Sequence, residues 1–159
     1  YEKRAKEQQR LIDEMKLKNK VELIVEEYKP EEFYSRAKGL EKEPEGGARC
    51  EICFKQRLEK TALVAKEKGF DFFTTTLTVS PHKDSRLINE IGFELSKSDL
   101  YNNSKYLPSD FKKKNGYQRS IQLSKEYELY RQNYCGCIFG KLADENFIKS
   151  KEENNYGNS

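Results

Sequence analysis

"FDFFTTTLTVSPHKDSRLINEIG", residues 70–92, changes its periodicity in the middle. Residues 70–79 are aromatic, β-branched and apolar enough for a strand inside a sheet. "SPHKD" (80–84) breaks the run, and "SRLINEIGFELSKS" (85–98) repeats its apolar residues at helical spacing. Asp84 or Ser85 suits the cap of that helix. A strand feeding a helix through a short polar turn is the building unit of α/β proteins with a parallel sheet.

Outward from this unit the alternation continues. A short strand is expected at Lys105–Leu107 and a helix over 117–132, with Ile121, Leu123, Tyr127 and Tyr130 as core candidates. On the N-terminal side a helical pattern runs from Cys50 to Lys68, with Ile52, Leu58, Ala62, Leu63 and Ala65 on or near one face and Gly69 as its stop. "EKEPEGG" (41–47) is a loop. "KPEEFYSRAKGL" (29–40) carries a helix-starting Pro30 and a helix-stopping Gly39. "VELIVEE" (21–27) is β-rich, and residues 1–18 are an amphipathic charged helix. The fold class read here is α/β, a parallel sheet flanked by helices.

The chain has 159 residues, enough for one domain; 35% are hydrophobic, 36% charged, and the net charge is +3. No apolar run approaches the length of a membrane-spanning helix, and residues 1–18 have no signal-peptide pattern. Four cysteines in a chain this long are not a disulfide scaffold. The expected location is the cytoplasm, with no membrane partner. There, paired cysteines point to metal or redox chemistry. The tail "SKEENNYGNS" (150–159) is polar and is expected to be disordered.

The cysteines come as two tight pairs. Cys50 and Cys53 open a helix in "GGARCEICFKQRLEK" (46–60), after two loop glycines. Positions i and i+3 share a face, and a helix N-terminus favours thiolate, the form that binds iron or zinc. Two half-buried helix cysteines with no ligand are the plainer reading. Cys135 and Cys137 stand one glycine apart in "NYCGCIFG" (133–140). A disulfide across so small a ring is strained and easily reduced, which suits a redox shuttle better than a staple. Two metal ligands are the competing use. The four thiols therefore admit one Cys₄ zinc site, or half an iron–sulfur site beside a redox pair.

Two further stretches carry polar chemistry. The end of the 70–79 strand and its turn bring Thr76, Thr78, Ser80, His82 and Lys83 to the edge of the sheet where α/β proteins bind ligands. "DFKKKNGYQRS" (110–120) offers Lys112, Lys113, Lys114 and Arg119 with Tyr117 between them. Cations hold phosphates and an aromatic ring stacks on an unpaired base, as in single-stranded RNA loops. A solvated lysine run is the alternative.

Three blocks, residues 39–62, 70–92 and 109–140, resemble the QueH family of cobalamin-independent epoxyqueuosine reductases. The resemblance covers roughly residues 1–140. It implies a HUP-like sheet (adenine nucleotide alpha hydrolase-like). It implies reduction of epoxyqueuosine to queuosine at the wobble position of tRNA, the last step of queuosine biosynthesis. It also implies a 4Fe–4S cluster with an additional iron ion, the tRNA anticodon loop as partner, and an electron donor. Carried over, Cys50 and Cys53 become cluster ligands, and Cys135 and Cys137 a redox-active disulfide. The resemblance also favours RNA as the ligand of the polar stretches above, so that His82, Lys83, Lys112, Lys113, Lys114, Tyr117 and Arg119 are expected to face substrate or RNA. In that family an N-terminal strand ending in adjacent cysteines supplies the other two ligands. Residues 1–140 are therefore expected to be a partial reductase domain lacking that strand and Cys-Cys motif, with 141–159 a polar tail. The competing function is a Cys₄ zinc module that binds RNA without catalysis.

Overall fold

The computed structural model describes residues 1–101, 104–132 and 134–142. Its elements are α1 (Glu2–Glu14), α2 (Pro30–Arg36), α3 (Ala48–Glu67), β1 (Phe72–Phe73), a 3₁₀ turn (Leu77–Val79), α4 (Ser85–Lys97), β2 (Lys105–Tyr106) and α5 (Gly116–Glu126). Residues 138–142 are again helical.

β1 and β2 pair in parallel, Phe72 opposite Lys105 and Phe73 opposite Tyr106, with α4 as the crossover between them. A parallel pair requires such a crossover, because no tight turn can return the chain in the same direction. The α/β reading therefore holds for this β1–α4–β2 unit, in a molecule that is otherwise helical. Asp84 caps α4: its Oδ1 accepts from the N–H groups of Arg86 at 2.8 Å and Leu87 at 3.3 Å.

The core lies between α3, α4 and the two strands. Phe54, Leu58, Ala62 and Ala65 from α3 meet Ile88, Ile91 and Leu95 from α4, with Phe73 and Tyr106 beneath. Of the expected α3 face, Leu58, Ala62 and Ala65 are buried, Ile52 and Leu63 are half-buried outside the core, and Phe54 is added. Leu58 and Ile88 are fully enclosed, each contributing about 2 kcal/mol by its removal from water. Gly92 lets the Tyr106 ring lie against α4, since a Cβ there would overlap the ring. The Tyr106 hydroxyl donates to Asn89 Oδ1 at 2.8 Å. Asn89 also accepts from Ser109 N–H at 3.1 Å and donates to the Ser109 carbonyl at 3.0 Å, pinning the 107–111 segment to α4.

Three expectations are corrected. Residues 21–27 form no strand: Val21, Ile24 and Val25 are exposed, and no neighbouring ladder takes up their backbone groups. The 70–79 strand contracts to Phe72–Phe73. Its ladder is held by Lys105 N–H on Asp71 O and Leu107 N–H on Phe73 O, and beyond it Thr75 Oγ1 accepts from Leu77 N–H and turns the chain. The 117–132 helix stops at Glu126, because Glu128 takes a left-handed conformation (φ 49°) and Leu129 N–H returns to Ser124 O. Its core candidates Ile121, Leu123 and Tyr127 are only half-buried, and Tyr130 is exposed. The tail from residue 143 onward lies outside the described residues.

Candidate functional site

Cys50 and Cys53 sit in the first two turns of α3, as their spacing requires. Gly46 has φ +92°, a conformation only glycine adopts at little cost, and its N–H points at Cys50 Sγ from 3.2 Å. Cys50 rests against the core cluster and is thus anchored by packing. Cys53 Sγ accepts from Arg57 Nε at 3.3 Å, one helical turn along. Arg57 was not singled out in the sequence, although its i+4 spacing from Cys53 is the available signal.

Arg57 ties the two cysteine pairs to one neighbourhood. Crowding of its guanidinium by protein opposes its charge. The sulfurs of Cys53, Cys135 and Cys137 outweigh that and raise its pKa. A cleft of about 530 Å³ is lined by Cys53, Arg57, Gly136 and Cys137 together with α2.

Within the Cys-Gly-Cys segment the two thiols are unequal. Hydrogen bonding from the Cys137 thiol lowers the Cys135 pKa to about 5; the Lys83 ammonium and the Cys137 N–H add to this, while burial and Glu45 oppose it. Cys137 is pushed up, first because its proton is held by Cys135 and then by burial. Lys83 Nζ lies 4.0 Å from Cys135 Sγ, and Gly140 N–H is 3.4 Å from Cys137 Sγ.

A second cleft, of about 1190 Å³, opens on the Cys135 side. His82, Lys83, Tyr117, Arg131 and Cys135 line it, as does Ser80. The structure thus brings part of the expected RNA-facing set beside Cys135. Arg49, also unforeseen, is buried beside this cleft. Its Nη1 donates to the carbonyls of Leu40 and Glu41, and its guanidinium lies 4.6 Å from the Phe139 ring centre.

The remaining members are placed differently. Lys112 is not a free phosphate contact: its Nζ donates to the carbonyls of Lys83 at 2.9 Å and Thr78 at 3.3 Å. Lys113, Lys114 and Arg119 are exposed, Arg119 within 3.7 Å of Glu126. Thr78 is buried, its hydroxyl 3.0 Å from Ser109 Oγ, and Thr76 starts the 3₁₀ turn.

Among the described residues no three Cys, His, Asp or Glu side chains gather closely enough to hold one ion. The four thiols therefore stand as two pairs, and the single Cys₄ arrangement is not formed. Cys50 and Cys53 are two soft donors on adjacent turns, which fits half the ligand set of a thiolate-bound cluster. Among the described residues, no helix is long and apolar enough to cross a membrane.

A β–α–β unit carrying two thiol pairs beside cations defines a dithiol protein of the α/β class. A family model described as epoxyqueuosine reductase QueH matches residues 1–143, and the chain belongs to that family. An epoxyqueuosine reductase QueH of Streptococcus pyogenes serotype M1 is 46% identical over 156 residues, 96% of this chain and 60% of that protein. One from Staphylococcus epidermidis is 46% identical over 146 residues, 89% of this chain and 60% of that protein. One from Thermotoga maritima is 40% identical over 119 residues, 73% of this chain and 60% of that protein. The chain spans about 60% of the length of these relatives.

Proposed function

We propose that this chain is the larger part of a reductase that converts epoxyqueuosine to queuosine at the wobble position of tRNA, in the cytoplasm. The observation that carries the reading is the Cys-Gly-Cys segment between two clefts, with Lys83 Nζ 4.0 Å from Cys135 Sγ on one side and Cys137 lining the other with Cys53 and Arg57. The overall change is two-electron: the epoxide loses its oxygen as water and becomes an alkene, taking up two electrons and two protons. Oxidation of the Cys135 thiolate and the Cys137 thiol to one disulfide releases two electrons and one proton; with a second proton from water, one turnover of the pair balances one epoxide. A separate electron donor then returns the disulfide to dithiol.

In this reading Cys135 is the thiolate, and Cys137 holds a proton directed at Cys135 Sγ. The cleft lined by Lys83, His82, Tyr117 and Arg131 receives the anticodon loop, the cations taking phosphates and Tyr117 a base. Cys50 and Cys53 would hold part of a 4Fe–4S cluster. When bound, the cluster and its adjacent iron supply electron transfer and Lewis acidity. The β1–α4–β2 unit is inferred to be one piece of a larger HUP-like sheet.

The test uses the full-length protein. Cys135→Ser should abolish most turnover while iron content stays near that of the parent; Cys50→Ser should instead lose the iron. If Cys135→Ser also empties the iron, Cys135 is a ligand and the redox-pair role is lost.

A further inference from the structure

We infer that Lys83 is a positioning residue that selects Cys135, and not Cys137, as the reacting sulfur of the Cys-Gly-Cys pair, and that Lys112 anchors it. The inference rests on the reading of Cys135 and Cys137 as a redox pair. Its basis is the placement of one cation. Lys83 Nζ lies 4.0 Å from Cys135 Sγ, with the Phe54 ring centre 6.0 Å away. The Lys83 side chain is only 18% exposed, so its charge is poorly screened by water. Its backbone is also held: Lys112 Nζ donates to the Lys83 carbonyl at 2.9 Å and to the Thr78 carbonyl at 3.3 Å. A lysine on a solvent-facing turn would lose the ordering entropy needed to face one sulfur. Here a second lysine fixes that turn.

Arg57, Arg49 and Glu45 do not make the same selection, and Arg4, from α1, stands at Gly136 between the two cysteines. Arg57, from α3, has both Cys135 and Cys137 as electrostatic neighbours and is bonded to Cys53. Arg49 acts on Cys137, but its Nη1 is committed to the Leu40 and Glu41 carbonyls. Glu45, from the 41–47 loop, stands 3.9 Å from Lys83 Nζ and opposes the Cys135 thiolate. It therefore moderates the effect of Lys83. The Lys83 ammonium, 4.0 Å from Cys135 Sγ, favours negative charge on that sulfur and leaves the proton to Cys137.

The test is competitive alkylation of the reduced chain with limiting iodoacetamide, in which a thiolate displaces iodide and forms a thioether. Peptide mapping by mass spectrometry reads each cysteine across a pH series. Cys135 should be modified ahead of Cys137 by ~10-fold or more near neutral pH. The midpoint of its pH profile should lie below about 7, under the ordinary thiol value of about 8.5. Lys83→Met should raise that midpoint and erase the preference, and Lys83→Arg should retain both. Glu45→Gln should lower the midpoint further; it is a surface change and serves if Lys83→Met does not fold. Equal labelling, earlier labelling of Cys137, an unchanged order in Lys83→Met, or an unmoved midpoint in Glu45→Gln would overturn the inference. Oxidation with diamide separates it from the redox-pair reading. Failure to link Cys135 to Cys137, with the alkylation order intact, removes the redox pair and leaves the selection by Lys83 standing.

Discussion

Glu7 of α1 accepts a hydrogen bond from the backbone N–H of Tyr130 at 2.9 Å, joining the first helix to the segment that leads into the cysteine pair. Neighbouring contacts repeat the link. Arg10 Nη2 donates to the carbonyls of Tyr127 at 3.0 Å and Glu128 at 3.3 Å, and Lys3 Nζ lies 3.6 Å from the centre of the Tyr130 ring. Gly136 comes close to Arg4, whose guanidinium leaves little room for a Cβ at that position. α1 contributes no residue to the buried core. Its role is to hold residues 127–130, where α5 has ended, and to meet Gly136.

Replacing Glu7 with alanine should release that segment without unfolding the core. The expected outcome is hydrogen exchange at the Tyr130 amide several-fold faster, with the amides of α3 and α4 unchanged. Uniform acceleration across α3 would show that α1 supports the whole domain instead.

Acid should have the same local effect. Hydrogen bonding from Arg10, then from the Tyr130 N–H, holds the Glu7 carboxyl below its ordinary value. A carboxylate with a depressed folded-state pKa stabilises the fold above its unfolded pKa of about 4.3, and that contribution is lost as pH falls through the lower folded value. The protection factor at Tyr130, its exchange relative to the intrinsic rate at each pH, should therefore fall below about pH 4, before the far-ultraviolet dichroism of the helices changes. In Glu7→Ala this early step should be missing.

Gly92→Ala tests the packing of α4 on β2. The added Cβ overlaps the Tyr106 ring, which also carries the hydrogen bond to Asn89. Displacing the ring should cost about 1–3 kcal/mol in urea unfolding. Leu58→Ala, which empties a fully buried position, should cost about 2–5 kcal/mol. A neutral Gly92→Ala would mean that Tyr106 is free to move aside.

The parts of this fold set by local pattern were legible in the sequence. The α3 face, the Asp84 cap, the short β2 strand and the helix-opening cysteines each depend on residues within a few positions of one another. Other readings failed because they depended on distant partners. "VELIVEE" has strand composition, yet a strand exists only where another supplies a ladder, and composition does not reveal that. Arg57 and Arg49 belong to the site through contacts with the 135–139 segment, some eighty or more positions away. The lysine run misled for a related reason: adjacent identical residues on a turn point in different directions, and only one of them faces inward.

That difference within the run gives the sharpest separation of structure from binding. Lys112 donates to two carbonyls and lies 3.6 Å from Asp110 Oδ1, whereas the Lys113 side chain is 80% exposed and Lys114 is also exposed. Lys112→Met should therefore lower stability, by about 1–2 kcal/mol for the lost charged hydrogen bonds. It should also slow Cys135 alkylation, because the Lys83 turn is loosened. The double substitution Lys113→Ala/Lys114→Ala should leave stability within about 0.5 kcal/mol. If these two lysines reach RNA phosphates, the double variant should weaken tRNA binding and reduce the salt slope of log affinity by roughly 1.4–1.8. Urea unfolding and filter binding at several salt concentrations measure the two effects separately. A double variant with unchanged affinity at low salt would leave Lys113 and Lys114 as a solvated face and confine RNA contact to the cleft beside Cys135.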